Sequence, residues 1–390
     1  MAKIEVPVTP EVLDWAIRES GYGAEEVAEK ISVHPDTIRH WLAGRTLPTL
    51  TNVRALARLL KRTPSTFLLP APPPSKQIAV EFRRPPREKR KSPNPDERRY
   101  VREAARLQEA EAWIVRRLGQ AIPTIPETRL ETNPDHVAQD LHERLIGSIE
   151  RVRPETAAKA FNARRSAVEA SGVSVFLFPM GADSAAGFSL WNENAPVIAV
   201  NAALNHEARS YTLFHEYGHL LTRTSSLCLE RSGTSLSKPT DRAERWCEEF
   251  AASILLPWAD VAAFLKRRFD WRDGQTVSSL SIPKAVAMEF HVSWRAATIR
   301  LIERGLARWE LYRKIPPLND EKHRGGRSDV VRDRGVVRES QYGRRTVDLF
   351  IDALGRDILA RTDIIDYLDV TDAALDRLEH DSALLRHLDE

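Results

Sequence analysis

One run of this chain reads His215-Glu216-Tyr217-Gly218-His219, inside YTLFHEYGHLL. Two residues four apart on an α-helix differ by about 40° in azimuth and one turn in height. His215 and His219 therefore project side by side, and two imidazoles so placed can reach one ion at about 2.0–2.1 Å. Glu216, next to the first histidine, is placed to take a proton from a water that such an ion acidifies. That is the chemistry of metal-assisted hydrolysis. Leu213, Phe214, Tyr217, Leu220 and Leu221 surround the histidines with apolar side chains, so the helix is expected to be buried. Buried imidazoles need partners; a hydrogen-bonded histidine pair without metal is the competing reading.

A catalytic zinc site takes three protein ligands and keeps one position open. The segment ERWCEEFAASILLP, residues 244–257, supplies the candidate third ligand. It reads as a helix stopped by Pro257, with Phe250, Ala251, Ile254 and Leu255 on its buried face. Glu244 and Glu248 lie four apart along the edge of that face, and Glu249 points elsewhere. Glu244 is assigned as the ligand. Glu248, one turn later, is expected to accept the free N–H of a ligating histidine. The alternative makes both of them surface charges paired with Arg242 and Arg245. Cys247 lies on the same helix, but a single buried cysteine more often packs as a small apolar residue. Tyr211, one turn before His215, and His206 are candidates for stabilising an oxyanion. The ligand types suit zinc, and they also accept manganese or iron.

The elements that must position these residues belong to a chain of 390 residues, long enough for two or three domains. Residues 9–70 read as five short helices, with Gly44 stopping the third. APPPSKQ and RRPPREKRKSPNP cannot continue a helix and mark a linker, in which six Lys/Arg and one Glu fall between Arg83 and Ser92. Such a basic strip is either a solvated linker or a contact for nucleic acid or an acidic partner. IAVEF, 78–82, has the look of a short strand. Long helical periodicity runs from Asp96 to Leu118, with further helices near 135–146 and 154–171. VSVFLF, AGFSLW and PVIAV then change the period to that of strands. Helices resume at about 205–222, 240–255, 282–290 and 293–306. A polar stretch over 319–345 precedes the last helices. A small sheet among many helices argues α+β.

Bulk composition excludes several classes. A net charge of +3 gives no whole-chain case for nucleic acid. Two cysteines, Cys228 and Cys247, are too few for a disulfide framework or a thiolate zinc site. The start lacks a secretory apolar core, and no stretch approaches the ~20 apolar residues that span a bilayer. A cytoplasmic location without membrane contact is the resulting expectation.

Taken together, PVIAVN, EARSYTLFHEYGHLL and ERWCEEFAASILLP resemble the strand, metal helix and second helix of the ImmA/IrrE family of metallopeptidases. Glu244 falls on that family's metal glutamate, Phe250-Ala251-Ala252 on its Phe-Ala-Ala and Pro257 on its closing proline. Cys247 and Glu248 replace the usual Ala and Asn. The resemblance covers roughly 100–310 and implies a zinc peptidase that cleaves a protein partner, typically a DNA-binding repressor. The C-terminal YGRRTVDLFIDAL and DIIDYLDV are similar to tails that follow such domains.

The segment AEEVAEKISVHPDTIRHWLAGRTLPTLTNVRALARLL resembles the helix-turn-helix of XRE-type regulators, with Val33, Ile38, Trp41 and Leu42 as core. Its recognition helix would present His34, Asp36, Thr37, Arg39 and His40 to DNA. Residues 1–68 carry nine Lys/Arg against eight Asp/Glu, so the module lacks the basic excess of most DNA binders. Docking to another protein is the competing role. IPKAVAMEF followed by HVSWRAATIRLIERGLA has a similar outline, and is expected to pack on the peptidase core through Phe290, Val292, Ile299 and Leu301.

The organisation expected is therefore a helix-turn-helix domain at 1–70, a Pro/Arg-rich linker at 71–95, a zincin-like peptidase domain at 96–310, a polar linker at 311–342 and a helical C-terminal domain at 343–390. Ile198, Ala199, Val200 and Asn201 are expected to be an edge strand that binds extended substrate by strand addition. A strand paired on both edges would remove that role. The expected function is zinc-dependent cleavage of a protein partner, a helix-turn-helix repressor, in stress response or mobile-element control. The alternative is a DNA-binding regulator or antitoxin-like protein whose metal site does not cut. Substrate sequence, activating signal and oligomeric state are not legible.

Overall fold

The computed structural model describes residues 4–60, 62–73, 95–121, 125–147, 154–182, 184–224, 241–272, 275–315 and 333–389. The expected strand at 78–82, the basic strip at 83–92, Cys228 and much of the second polar stretch lie outside them. The chain falls into two compact units. The described part of the first is 4–60, 62–73 and 95–103.

The first unit is helical: α1 Pro10–Ser20, α2 Ala24–Lys30, α3 Pro35–Leu42 and α4 Leu50–Leu60, followed by a 3-10 turn at Pro64–Leu68. Val27, Ile38, Trp41, Val53 and Leu56 are buried at its centre, while Val33 and Leu42 are half-buried against them. Between α2 and α3 the chain turns through Ser32 at φ 58°. His34 then caps α3, its Nδ1 accepting from the Asp36 amide at 3.3 Å, and Pro35 occupies the first turn where no amide is needed.

The second unit takes the rest of α5 (Pro95–Leu118), α6 Pro134–His142 and α7 Ala157–Ala170, then the strands β1 Ser174–Phe178, β2 Gly187–Leu190 and β3 Val197–Asn201. The long helices α8 His206–Thr222 and α9 Asp241–Leu255 follow, then α10 Trp258–Phe269, α11 Ser281–Glu289, α12 Trp294–Glu303 and α13 Trp309–Arg313. Four more helices end the chain: α14 Arg334–Tyr342, α15 Arg344–Gly355, α16 Arg361–Leu368 and α17 Asp372–Asp389. The architecture is α+β. α10 is absent from the sequence reading. Pro257 both ends α9 and stands as the N-cap of α10, so one proline serves as a stop and a start.

The sheet order is β1-β3-β2, with β1 parallel and β2 antiparallel to β3. This corrects the edge-strand expectation for Ile198, Ala199, Val200 and Asn201. Ile198 pairs with both Val175 and Ser189, Ala199 with Phe176 and Phe188, and Val200 with Leu177 and Gly187, so their backbone is spent on the ladders. Asn201 pairs with Phe178, its amide donates to Ala186 O at 2.8 Å, and its side chain donates to Gly181 O at 2.7 Å and Ala185 O at 3.0 Å. It ties the loop before β2 to the end of the central strand.

Residues 334–342, expected within a polar linker, form a helix packed on β1, and the helices after it group with the sheet in the same compact unit. Tyr342 is buried edge-on to Phe176 at 5.9 Å and Phe178 at 6.5 Å. Arg165 donates to Glu169 at 2.9 Å, Val175 O at 2.6 Å and Ser340 O at 2.7 Å. Buried Glu111 accepts from Ser174 of β1 at 2.6 Å and Thr346 of α15 at 2.7 Å, while its burial pushes its pKa up.

Candidate metal centre

α8 is fixed at both ends by local chemistry. Asn205 caps it, its side chain accepting from the Ala208 amide at 2.9 Å, and Arg223 closes it in the left-handed region at φ 53°. Everything from Thr212 to Leu221 is buried, so both histidines and Glu216 sit inside the unit. α9 crosses it at Gly218. A Cβ there would meet Cys247 Sγ at 3.1 Å, Cβ at 3.2 Å and Cα at 3.3 Å, closer than side chains ordinarily pack. The missing side chain lets α9 approach and brings Glu244 over the imidazoles. Trp246 and Phe250 stack at 5.5 Å, Phe250 stacks in turn on Tyr217 of α8 at 6.4 Å, and Trp246 Nε1 donates to Thr132 O at 2.8 Å, which fixes the helix's rotation.

Three side chains from two helices converge. His215 Nε2 lies 3.2 Å from His219 Nε2 and 3.2 Å from one Glu244 oxygen, while the other Glu244 oxygen lies 3.1 Å from His219 Nε2. Ligand atoms about 2.0–2.1 Å from one tetrahedral ion stand roughly 3.3 Å apart, and the 3.1–3.2 Å separations among the two imidazole nitrogens and the two Glu244 oxygens match that spacing. Among the described residues His215, His219 and Glu244 are the group of this kind able to hold a metal ion. Burial alone would push the Glu244 carboxyl up, but the two imidazoles hold it well below the usual carboxylate range. Burial lowers His219, and the neighbouring Cys247, Glu244 and Glu216 outweigh it, so its pKa is raised. A cation is what this arrangement of inward-facing donors attracts.

Glu216 is buried one residue beyond His215. Edge strand β2 passes beside it: a Cβ on Gly187 would meet Thr212 Cγ2 at 2.5 Å, Ala199 O at 2.7 Å and Glu216 Cγ at 3.5 Å. Only glycine fits there.

Other expected residues are placed differently. His219 Nδ1 meets Thr224 Oγ1 at 3.2 Å, so for this imidazole Thr224 takes the place foreseen for Glu248. Glu248 is exposed, and its backbone carbonyl accepts from the Tyr211 hydroxyl at 3.2 Å. His206 begins α8, nine residues or about 13 Å of helical rise before His215, with its ring 6.5 Å from that of Phe161. It is not brought to the triad. Cys247 is buried and hydrogen-bonded to His219, and burial raises its pKa, which suits a packing thiol beside the centre. Thr224 and Gly187 went unassigned in the sequence because nothing in their spacing ties them to His219 or Glu216.

In the first unit His34, Asp36, Arg39 and His40 are exposed, and Thr37 is half-buried. Arg39 donates to Asp36 at 2.6 Å and to Glu25 at 2.8 Å.

A buried histidine pair one turn apart and a carboxylate from a crossing helix form a group able to hold a metal ion, with a second glutamate adjacent. Residues 168–301 match the family model of the IrrE N-terminal-like domain, and residues 16–67 match that of the helix-turn-helix. The chain thus joins an ImmA/IrrE-like metallopeptidase domain to an XRE-type helix-turn-helix domain. Among curated proteins none matches the chain. No helix among the described residues is long and apolar enough to cross a membrane.

Proposed function

We propose that this protein is a zinc-dependent endopeptidase that cleaves a protein partner, a helix-turn-helix repressor, and thereby controls transcription. The observation that carries this reading is the convergence of the His215 and His219 Nε2 atoms, 3.2 Å apart, on the two oxygens of Glu244 at 3.1–3.2 Å, with Glu216 on the same buried helix. His215, His219 and Glu244 hold the metal in this proposal, and Thr224 orients the imidazole of His219 through Nδ1. A zinc ion held there would supply Lewis acidity, to polarise a scissile carbonyl and acidify a water near neutral pH. Glu216 Oε takes the proton of the attacking water and delivers it to the leaving nitrogen. A purely structural ion has no use for a base there. We assign residues 1–70 to recognition and 96–310 to the peptidase.

A second reading, a DNA-binding regulator with a silent metal site, draws on the helix-turn-helix match. That match suggests DNA binding, but the two carboxylates on Arg39 leave the α3 face without excess positive charge, and phosphate contacts need it. One comparison separates the two readings. Wild type and Glu216→Gln, both loaded with zinc, are incubated with a helix-turn-helix repressor encoded beside this gene, with and without chelator. The peptidase reading expects chelator-sensitive cleavage by wild type, and a loss of about 10²–10⁴-fold in rate for the variant with zinc retained. Cleavage that survives both chelator and substitution refutes it; an operator gel shift by both proteins with no cleavage favours the regulator.

A further inference from the structure

Between α5 and α6, residues 125–133 form neither helix nor strand, with Pro126 and Pro134 at the two ends. A segment of that kind has to place its backbone polar groups on neighbours. Here the neighbours are the two helices of the metal centre. Thr128 N donates to Leu221 O at 2.9 Å, and Ile125 O accepts from the Arg223 guanidinium at 2.8 Å. Leu221 lies in the last turn of α8, where carbonyls have no partner within the helix. Arg223 also donates to Leu220 O and sits 3.5 Å from the ring centre of Trp191. Ile125 is buried in the core of the unit and Leu130 half-buried against it. These contacts fix one end of the segment to the C-terminus of the helix that carries His215 and His219.

The other end runs along α9. Thr132 O accepts from Trp246 Nε1 at 2.8 Å, Glu131 pairs with Arg242 at 3.2 Å, and Asp135, just inside α6, accepts from Ser253. At about 100° per residue, Arg242, Trp246 and Ser253 fall within about 40° of one another around α9, and Glu244 lies roughly opposite them. The helix is therefore held from behind by 125–135, while on its other side Gly218 of α8 lets it come close. The contacts are unequal. Arg242 and Glu131 are more than half exposed, and an ion pair in water contributes little. Trp246 and Ser253 are 5% and 3% exposed, so their hydrogen bonds are the ones that set the helix.

We propose that segment 125–135 is a strap that positions the metal ligand Glu244: tied to α8 at one end and to the back of α9 at the other, it presets the carboxylate against the two imidazoles. Glu244 stands in the first turn of α9, and helix ends fray. A ligand so placed needs its helix held from outside. Trp246 and Ser253 are positioning residues that act through Glu244. The inference rests on the reading of His215, His219 and Glu244 as metal ligands.

The test uses the full chain, freed of metal and titrated with cobalt(II) as a visible probe, with zinc affinity measured by chelator competition. Trp246→Phe keeps an aromatic ring beside Phe250 and removes the donor to Thr132; Ser253→Ala removes the donor to Asp135. Each should weaken cobalt and zinc binding by about ten-fold, the low end of what partners behind metal ligands contribute. Each should also change the visible absorption of bound cobalt, which follows coordination geometry. Trp271→Phe is the matched control. Trp271 is 6% exposed and its Nε1 donates to Gln275 O at 3.0 Å, so this variant loses the same kind of hydrogen bond elsewhere in the unit. It should melt lower, as Trp246→Phe does, with metal affinity and cobalt spectrum unchanged. Wild-type affinity and spectrum in both strap variants, or an equal loss of affinity in Trp271→Phe, would overturn the strap and leave the metal centre standing. Wild type that takes up neither cobalt nor zinc would overturn the metal centre and the strap's role with it.

Discussion

Replacing Asp135 by Asn should loosen the anchorage of the helix that carries Glu244. Asp135 lies in the first turn of α6 and accepts from Arg300 at 2.6 Å, and also from Ser253 of α9 and from Arg304. Arg300 is 3% exposed and donates further to Leu256 O at 3.2 Å and to Glu303 at 3.4 Å. Removing one partner of a buried ion pair costs about 3–5 kcal/mol when the other charge is stranded. Here the stranding is partial. Glu303 still faces Arg300, and an Asn oxygen can keep Ser253 and Arg300, turning its amide toward Arg304, which can swing to water. A loss of roughly 2–3 kcal/mol follows. At about 2–4 °C per kcal/mol for a domain of this order, Tm should fall by roughly 4–12 °C. The pH dependence gives a sharper check. Burial would raise the Asp135 carboxyl, but Ser253, Arg300 and Arg304 outweigh it and hold it below its ordinary value. A depressed carboxyl contributes stability that is fully present above the unfolded value of about 3.9 and is lost as pH falls through the folded one. Thermal melts of wild type and Asp135→Asn should therefore differ by a constant amount from about pH 8 to 5, begin to narrow near about pH 4 and converge only once pH falls below the folded value. A variant as stable as wild type at pH 7, or a gap that persists undiminished into acid, would refute the account.

Two substitutions probe the centre itself. Thr224→Val keeps the side-chain shape and removes the oxygen at His219 Nδ1, so zinc affinity measured by chelator competition should drop about 10–100-fold; a change under about two-fold would show that the hydroxyl does not orient the ring. Gly218→Ala places a methyl 3.1–3.3 Å from Cys247, and overpacking of about 1–3 kcal/mol opposes a helix-propensity gain of about 1 kcal/mol, so calorimetry should find apo stability changed little while zinc binding weakens as Glu244 is pushed back. Unaltered zinc affinity would mean that the crossing of α8 and α9 does not set the position of Glu244.

The parts of this fold that were legible from sequence are those in which chemistry repeats along one element. The four-residue spacing of His215 and His219 is a property of a single helix, and so is the proline that stops α9. What stayed hidden depends on contacts between elements. β1, β2 and β3 are buried almost throughout, so none shows the alternation that tells an edge strand from a central one, and β3 could be read as an edge. Thr224 reaches His219 only because Arg223 turns the chain back in the left-handed region, which no motif announces. The stretch before Tyr342 reads as linker because it is rich in arginine, yet Arg165 and Glu169 meet it below the surface and Tyr342 fills the space against Phe176 and Phe178.

The same distinction bears on the two helix-turn-helices. Their turns are nearly superimposable in dihedral angle and hydrogen bonding, so backbone geometry alone would give both the same role. Burial separates them: α3 keeps its middle exposed and α12 does not. Charge separates them in the opposite direction, because Glu25 and Asp36 neutralise Arg39 while Lys284 and Arg295 stand at the matching positions. The motif with an open middle thus has its central arginine held by two carboxylates, and the motif with cations at those two positions has its middle covered, so a shared backbone does not carry a shared surface.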